Sequence, residues 1–217
     1  MLHGIHLIIY DLDGTLIDST TAIVETFNRV IVEQGEPASP NEAIEEMIGL
    51  PLTEMFRRIL PPPKHFRVQA CWDRFIEIYA DVGPKKTQIL PSVPETLAYF
   101  KEAGYMQSIA TTKRSDVASR LLSKLGLLHY FNLVLGINDV AHAKPAPDII
   151  ELTLERLNME PREALLIEDT TIGLEAGVRA GVHTVGVTTG THDRERLLIL
   201  RPDYIIDRLN ELIKLIG

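Results

Sequence analysis

The feature that most constrains this chain is a repeated transition: short apolar runs that stop abruptly at polar residues. LIIY (7–10) runs into Asp11-Leu12-Asp13-Gly14-Thr15, SIA (108–110) into Thr111-Thr112-Lys113, and LLI (165–167) into Glu168-Asp169. The run LVLG (133–136) leads through a short loop to Lys144-Pro145. Continuous Val/Ile/Leu runs of this length read as strands buried on both faces, the pattern of a parallel sheet. HTVGVTT and DYIID read as further strands. Helical patterns fall between most of them: PETLAYFKEAG, SDVASRLLSKLG, PDIIELTLERLN and TIGLEAGVRAG. Pro94 suits a first helical turn, Ser115 an N-cap, and Gly104, Gly126 and Gly181 suit helix ends. Strand–helix alternation predicts an α/β fold with helices covering a parallel sheet.

Residues 17–87 break the rhythm. They show helical patterns only: STTAIVETFNRVIVEQG, SPNEAIEEMIG, LTEMFRRIL and FRVQACWDRFIEIYADVG, separated by loops rich in proline. A stretch this long exceeds a single crossover connection. It predicts an inserted helical subdomain over 17–87, with the α/β core formed by 1–16 and 88–217.

Composition narrows the partners. Apolar residues make up 45% of the chain, enough for a packed core, and the formal charge of −8 argues against nucleic acid and against an anionic membrane surface. No run approaches the apolar length of a membrane span, so a cytoplasmic protein is expected. Cys71, the single cysteine, excludes an internal disulfide and reads as a buried helix residue.

In an open parallel sheet, ligands bind beyond the carboxyl ends of the strands. The polar clusters therefore predict one shared edge supplying carboxylates, hydroxyls and an ammonium group. Taken singly, each has a dull explanation: Asp-Gly is a common turn, and a lysine before Pro-Ala-Pro suits a solvated loop. Jointly they fit phosphoryl transfer. A carboxylate can attack phosphorus and form an aspartyl phosphate. Carboxylate and phosphate repel each other, so a hard cation such as Mg²⁺ is needed, with Asp11 and Asp169 as its carboxylates. Lys144, Thr111 and backbone N–H groups near Leu12 and Gly14 would hold phosphoryl oxygens. Asp13 would protonate the leaving oxygen and later take a proton from water. Thr112 belongs to the same phosphate-binding set.

These residues resemble the haloacid dehalogenase superfamily. DLDGT (11–15), Thr111, Lys144 and Glu168-Asp169 match its four motifs in order, and EDTTIGLEAGVRAG (168–181) and KPAPD (144–148) are similar to its phosphoglycolate phosphatase-like branch. The resemblance implies a Rossmann-like three-layer core, an Mg²⁺ cofactor and an all-helical cap inserted after the first strand. It implies Asp11 as nucleophile and Asp13 as acid/base, with Asp13 also reaching the metal through its backbone carbonyl. Glu168 would sit behind the metal, supporting a bound water. The expected activity is hydrolysis of a small phosphorylated metabolite, phosphoglycolate-like or a sugar phosphate, by a monomer or homodimer.

The alternatives lie nearby. A β-phosphoglucomutase-like enzyme shares the scaffold, but that group tends to carry histidine where Ile23 stands. A phosphonatase needs a cap lysine that the loop IGLPL (48–52) lacks. Receiver-like signalling modules place their phosphoacceptor aspartate on a later strand than their acidic pair. Substrate choice is expected to rest on the loop around Gly49 and on Arg57, Arg58, Lys64 and Arg67, with Lys113, Arg114 and His142 at the entrance.

Overall fold

The computed structural model describes residues 2–216. The chain forms two compact units, one running up to Asp18 and resuming at Ile89, the other Ser19–Gln88. The first strand, β1 (Leu7–Tyr10), is followed by β2 (Ile17–Asp18), which pairs with β3 (Gln88–Ile89) where the chain returns. Between them lie α1 (Thr20–Glu33), α2 (Asn41–Glu45), α3 (Leu52–Ile59) and α4 (Val68–Lys86). The PPPKHFR segment contributes a 3₁₀ turn at Pro62–Arg67 ahead of α4.

This helical unit has its own aromatic core. Phe27 on α1 stacks on Phe56 of α3 with ring centroids 4.4 Å apart. Phe75 and Tyr79, one turn apart on α4, stack at 5.3 Å, and Phe75 meets Phe56 edge-on. All four side chains are buried. Cys71 lies on the same helix; it is buried, and burial pushes its thiol pKa up, the opposite of a reactive thiolate.

The other unit is a parallel sheet between helices. Its strands are β1, β4 (Met106–Ala110), β5 (Leu133–Leu135), β6 (Ala164–Glu168), β7 (His183–Val187) and β8 (Tyr204–Ile206), in the order β5-β4-β1-β6-β7-β8. The intervening helices are α5 (Val93–Glu102), α6 (Ser115–Lys124), α7 (Asp148–Leu157), α8 (Thr171–Ala180), α9 (Arg194–Leu198) and α10 (Leu212–Ile216). Every residue of β1 is buried, as its unbroken apolar sequence requires. Alternation divides it between two faces. Leu7 and Ile9 join a cluster with Ile149, Ile150 and Leu154 of α7 and Ala176 of α8. Tyr10 packs against Phe131 and donates to Gln107 Oε1, whose amide donates to Leu97 O on α5. The result is the Rossmann-like three-layer core with an inserted all-helical unit.

One cap differs from expectation. Ser115 is the first residue inside α6, not its N-cap. Asn138, 23 residues further on, accepts the Ser115 N–H at 2.8 Å and so supplies the cap from outside the local sequence.

Candidate active site

Strand register brings the polar clusters together. Tyr10 lies level with Ile109 on β4 and Ile167 on β6. The residues that follow, Asp11, Ala110-Thr111 and Glu168-Asp169, therefore leave the sheet at one edge. Asp11 N–H donates to Ile167 O at 3.0 Å and Thr111 N–H to Leu135 O at 3.1 Å, so backbone pairing continues one residue past the strands. Lys144 reaches this edge from the loop before α7. Its ammonium donates to Asp11 Oδ1 at 2.9 Å, to Ala110 O at 2.7 Å and to Glu168 Oε1. All three donors of a lysine are thereby used, and the residue is only 6% exposed. The solvated loop lysine of the bland reading is not what this position holds.

Among the described residues, Asp11, Glu168 and Asp169 form the group of carboxylates that could hold a metal, with one oxygen from each within 4.8 Å of the others. All three are buried. Burial pushes the Asp11 carboxyl up to about 7, with Glu168 and Asp13 adding to the rise and Lys144 opposing it. Asp169 is raised well above its ordinary value by burial, then by Glu168 and Asp11, against hydrogen bonds from Thr191 N–H and the Thr15 hydroxyl. Burial works to lower Lys144, but Asp11 and Glu168 outweigh it and keep the ammonium charged. Three carboxylates and one ammonium leave an excess of negative charge when all are ionised. A buried excess of this kind is costly unless a cation balances it. An all-oxygen donor set suits a hard divalent cation, so the residues present fit Mg²⁺.

Glu168 stands beside Asp11 and Asp169 in this cluster. Besides Lys144, it accepts from the Thr170 hydroxyl at 3.0 Å. The Asp13 carboxylate forms an ion pair with Lys113 at 3.2 Å; both side chains are largely buried. Thr111 is fully buried, and its hydroxyl oxygen accepts the Lys113 N–H at 3.2 Å, which leaves the O–H to donate. Thr112 lines a small recess with Ile137, Val140, Ala143 and Lys144. Leu12 is buried, and its carbonyl accepts from Leu16 and Ile17 N–H.

The Gly14 N–H donates to Ile17 O at 2.8 Å. What Gly14 contributes is the lack of a side chain: φ is +86°, and a Cβ there would meet Asp169 Oδ2 at 2.4 Å.

The residues expected to set specificity belong to both units. Gly49 sits in a turn of the helical unit at φ +103°. In the same unit Arg58 pairs with Glu54, Lys64 with Glu36, and Arg67 donates to Gln34 O, while Arg57 is exposed. In the core unit Arg114 pairs with Asp116, and exposed His142 pairs with Asp148 at 2.8 Å.

Sequence reasoning missed the residues that grip Asp169. Thr15 donates its hydroxyl to Asp169 Oδ1 at 3.0 Å, and Thr191 its N–H to Oδ2 at 3.1 Å. Thr15 stands in the first polar cluster, where its hydroxyl is a visible candidate donor. The Thr191 contact is made by backbone and leaves no side-chain signature.

The candidate site is thus a buried acidic cluster at the carboxyl ends of a parallel sheet, cross-linked by a buried lysine. The haloacid dehalogenase-like hydrolase family matches residues 8–187. A Dickeya dadantii protein named "Probable phosphatase IndB" is 36% identical over 95% of this chain and 91% of its own. A phosphoglycolate phosphatase from Pectobacterium atrosepticum is 31% identical over 100% of this chain and 94% of its own. The crystal structure of a haloacid dehalogenase-like hydrolase from Bacteroides fragilis superimposes with a TM-score of 0.91 at 27% identity, covering 96% of this chain and 99% of that one. The chain belongs to the haloacid dehalogenase-like hydrolases, on their phosphatase side. Among the described residues, no helix is long and apolar enough to cross a membrane.

Proposed function

We propose that this protein is an Mg²⁺-dependent phosphatase that hydrolyses a small phosphomonoester through an aspartyl phosphate on Asp11. The observation that carries the reading is the buried cluster of Asp11, Glu168, Asp169 and Lys144 at one sheet edge. Asp11 and Asp169, with Glu168 beside them, would hold the cation, which when bound offsets the repulsion between carboxylate and phosphate.

Asp11 attacks phosphorus; the bond to the leaving oxygen breaks and an acyl phosphate forms. Asp13 gives its proton to the departing oxygen. It then takes a proton from the water that attacks the acyl phosphate, and this releases phosphate and restores the Asp11 carboxylate. Lys144 holds the Asp11 carboxylate in place and stays charged throughout. The Thr111 hydroxyl is available to donate to a phosphoryl oxygen. The helical unit between β2 and β3, Gly49 included, serves as the cap that selects the leaving group. The Pectobacterium relative's name supports a short anionic phosphomonoester of the phosphoglycolate type as substrate.

The test is a phosphate-release screen with and without Mg²⁺. Its panel includes phosphoglycolate, pyrophosphate, sugar phosphates, a phosphonate and a haloacid. Mg²⁺-dependent phosphate release from at least one phosphomonoester is expected. Activity confined to the phosphonate or haloacid would overturn the reading.

A further inference from the structure

The loop after β7, Thr188–Asp193, reaches back to the site through Thr189 and Thr191 and to the start of α8 through His192, and no part of the mechanism above uses it. The Thr189 hydroxyl donates to Gly14 O at 2.7 Å. Thr191 N–H donates to Asp169 Oδ2 at 3.1 Å. His192 Nδ1 accepts the Thr171 N–H, at the start of α8, at 3.0 Å. Gly190 lies between these points, packed directly on the carboxylate. A Cβ at Gly190 would stand 1.9 Å from Asp169 Oδ2 and 2.3 Å from its Cγ. Gly14 packs against the same oxygen: a Cβ there would meet it at 2.4 Å and the Gly190 Cα at 3.0 Å. Two neighbouring glycines thus leave room for one carboxylate, and Thr15 and Thr191 each donate to one of its oxygens.

Asp169 is fully buried, so its orientation depends on these protein donors rather than on water. Outer hydrogen-bond partners that fix a ligand carboxylate commonly change metal affinity by about 10- to 100-fold when removed. We infer that Thr189-Gly190-Thr191 is a clasp that positions the Asp169 carboxylate for the divalent cation and ties it to the Gly14 turn. Thr189 and Gly190 are positioning residues: they act through Gly14 and Asp169 and need not touch substrate. The inference rests on the metal reading of the proposed function.

The experiment is calorimetric titration of the metal-free protein with Mg²⁺, in parallel with thermal melting without metal. Gly190→Ala should weaken Mg²⁺ binding by about 10- to 100-fold. Thr189→Val, which keeps the shape but removes the hydroxyl, should weaken it by a smaller factor, and Thr189→Ser should restore it. Should Gly190→Ala fail to melt cooperatively, the Val/Ser pair at 189 decides alone. Mg²⁺ affinity within twofold of the parent in Thr189→Val, or equal loss in the Val and Ser variants, overturns the clasp. A parent that binds no Mg²⁺ overturns both clasp and metal role. A parent that binds Mg²⁺ but releases no phosphate from any panel compound overturns the phosphatase reading and leaves the clasp standing.

Discussion

Acidic residues meet cations in both units of this molecule, with opposite consequences. On the helical unit, exposed Glu33 receives a fork from Arg74, with Nε at 2.7 Å and Nη2 at 3.2 Å. Those hydrogen bonds hold its carboxyl below the ordinary value. In the core unit Asp11 also receives a cation, Lys144 at 2.9 Å, yet its carboxyl is pushed up to about 7. The distances are similar; the surroundings differ. Water screens and solvates Glu33, so a partner only adds to an already favourable charge. Asp11 has lost its water, and one ammonium shared with Glu168 does not replace it. A site that holds charge in this way is poised for a further cation, and that is the physical content of the metal reading.

The comparison can be broken most directly at Asp11. Asp11→Asn keeps the volume and removes the nucleophile. It should lower phosphate release by at least about 10³-fold, as expected when a group of a jointly acting set is lost. Because it also removes one buried negative charge, the metal-free variant should melt no lower than the parent; a lower melt with retained turnover would reverse the assignment.

Lys144→Met is the next test. It leaves the buried carboxylates without their ammonium and should cost about 3–5 kcal/mol in the metal-free protein, by denaturant titration at alkaline pH. A loss near zero would mean that the cluster is better solvated than its burial indicates.

The two carboxylates should also respond to pH with opposite signs. Asp11 is raised from 3.8 to about 7. Folding therefore favours its protonated form. That contribution is fully present below about 3.8 and is lost as pH rises through about 7. Metal-free stability should thus fall across this window, and saturating Mg²⁺ or Asp11→Asn should flatten the fall. Glu33, lowered, contributes stability above the ordinary carboxylate range and loses it as pH drops. The smallest effect is expected from Arg74→Ala. It should shift the melting midpoint far less than Lys144→Met, and the shift should disappear in high salt, because exposed pairs are screened.

The parts of this molecule that could be read from its sequence were those written in contiguous residues. LIIY announced β1 because a strand buried on both faces carries no polar alternation. DLDGT announced the site because ligands gather where such strands end. The four helices of the inserted unit are visible in their apolar spacing, while the 3₁₀ turn at Pro62–Arg67 reads in sequence as a proline-rich loop leading into the last of them. What stayed hidden depends on distant partners. Lys144 looked solvated because Asp11 and Glu168, which bury it, lie 133 and 24 residues away. The Ser115 cap is supplied by Asn138. Thr191 acts through a backbone N–H that any non-proline residue would have, so its grip on Asp169 has no sequence mark.

The central claim is that Asp11 becomes covalently phosphorylated. Borohydride added during turnover reduces an acyl phosphate to the alcohol, converting the aspartate to homoserine, which peptide mass spectrometry locates. The account predicts homoserine at position 11 alone, dependent on substrate and on Mg²⁺, and absent from Asp11→Asn. Homoserine at Asp13 or Asp169, or steady phosphate release with position 11 unmodified, would contradict it.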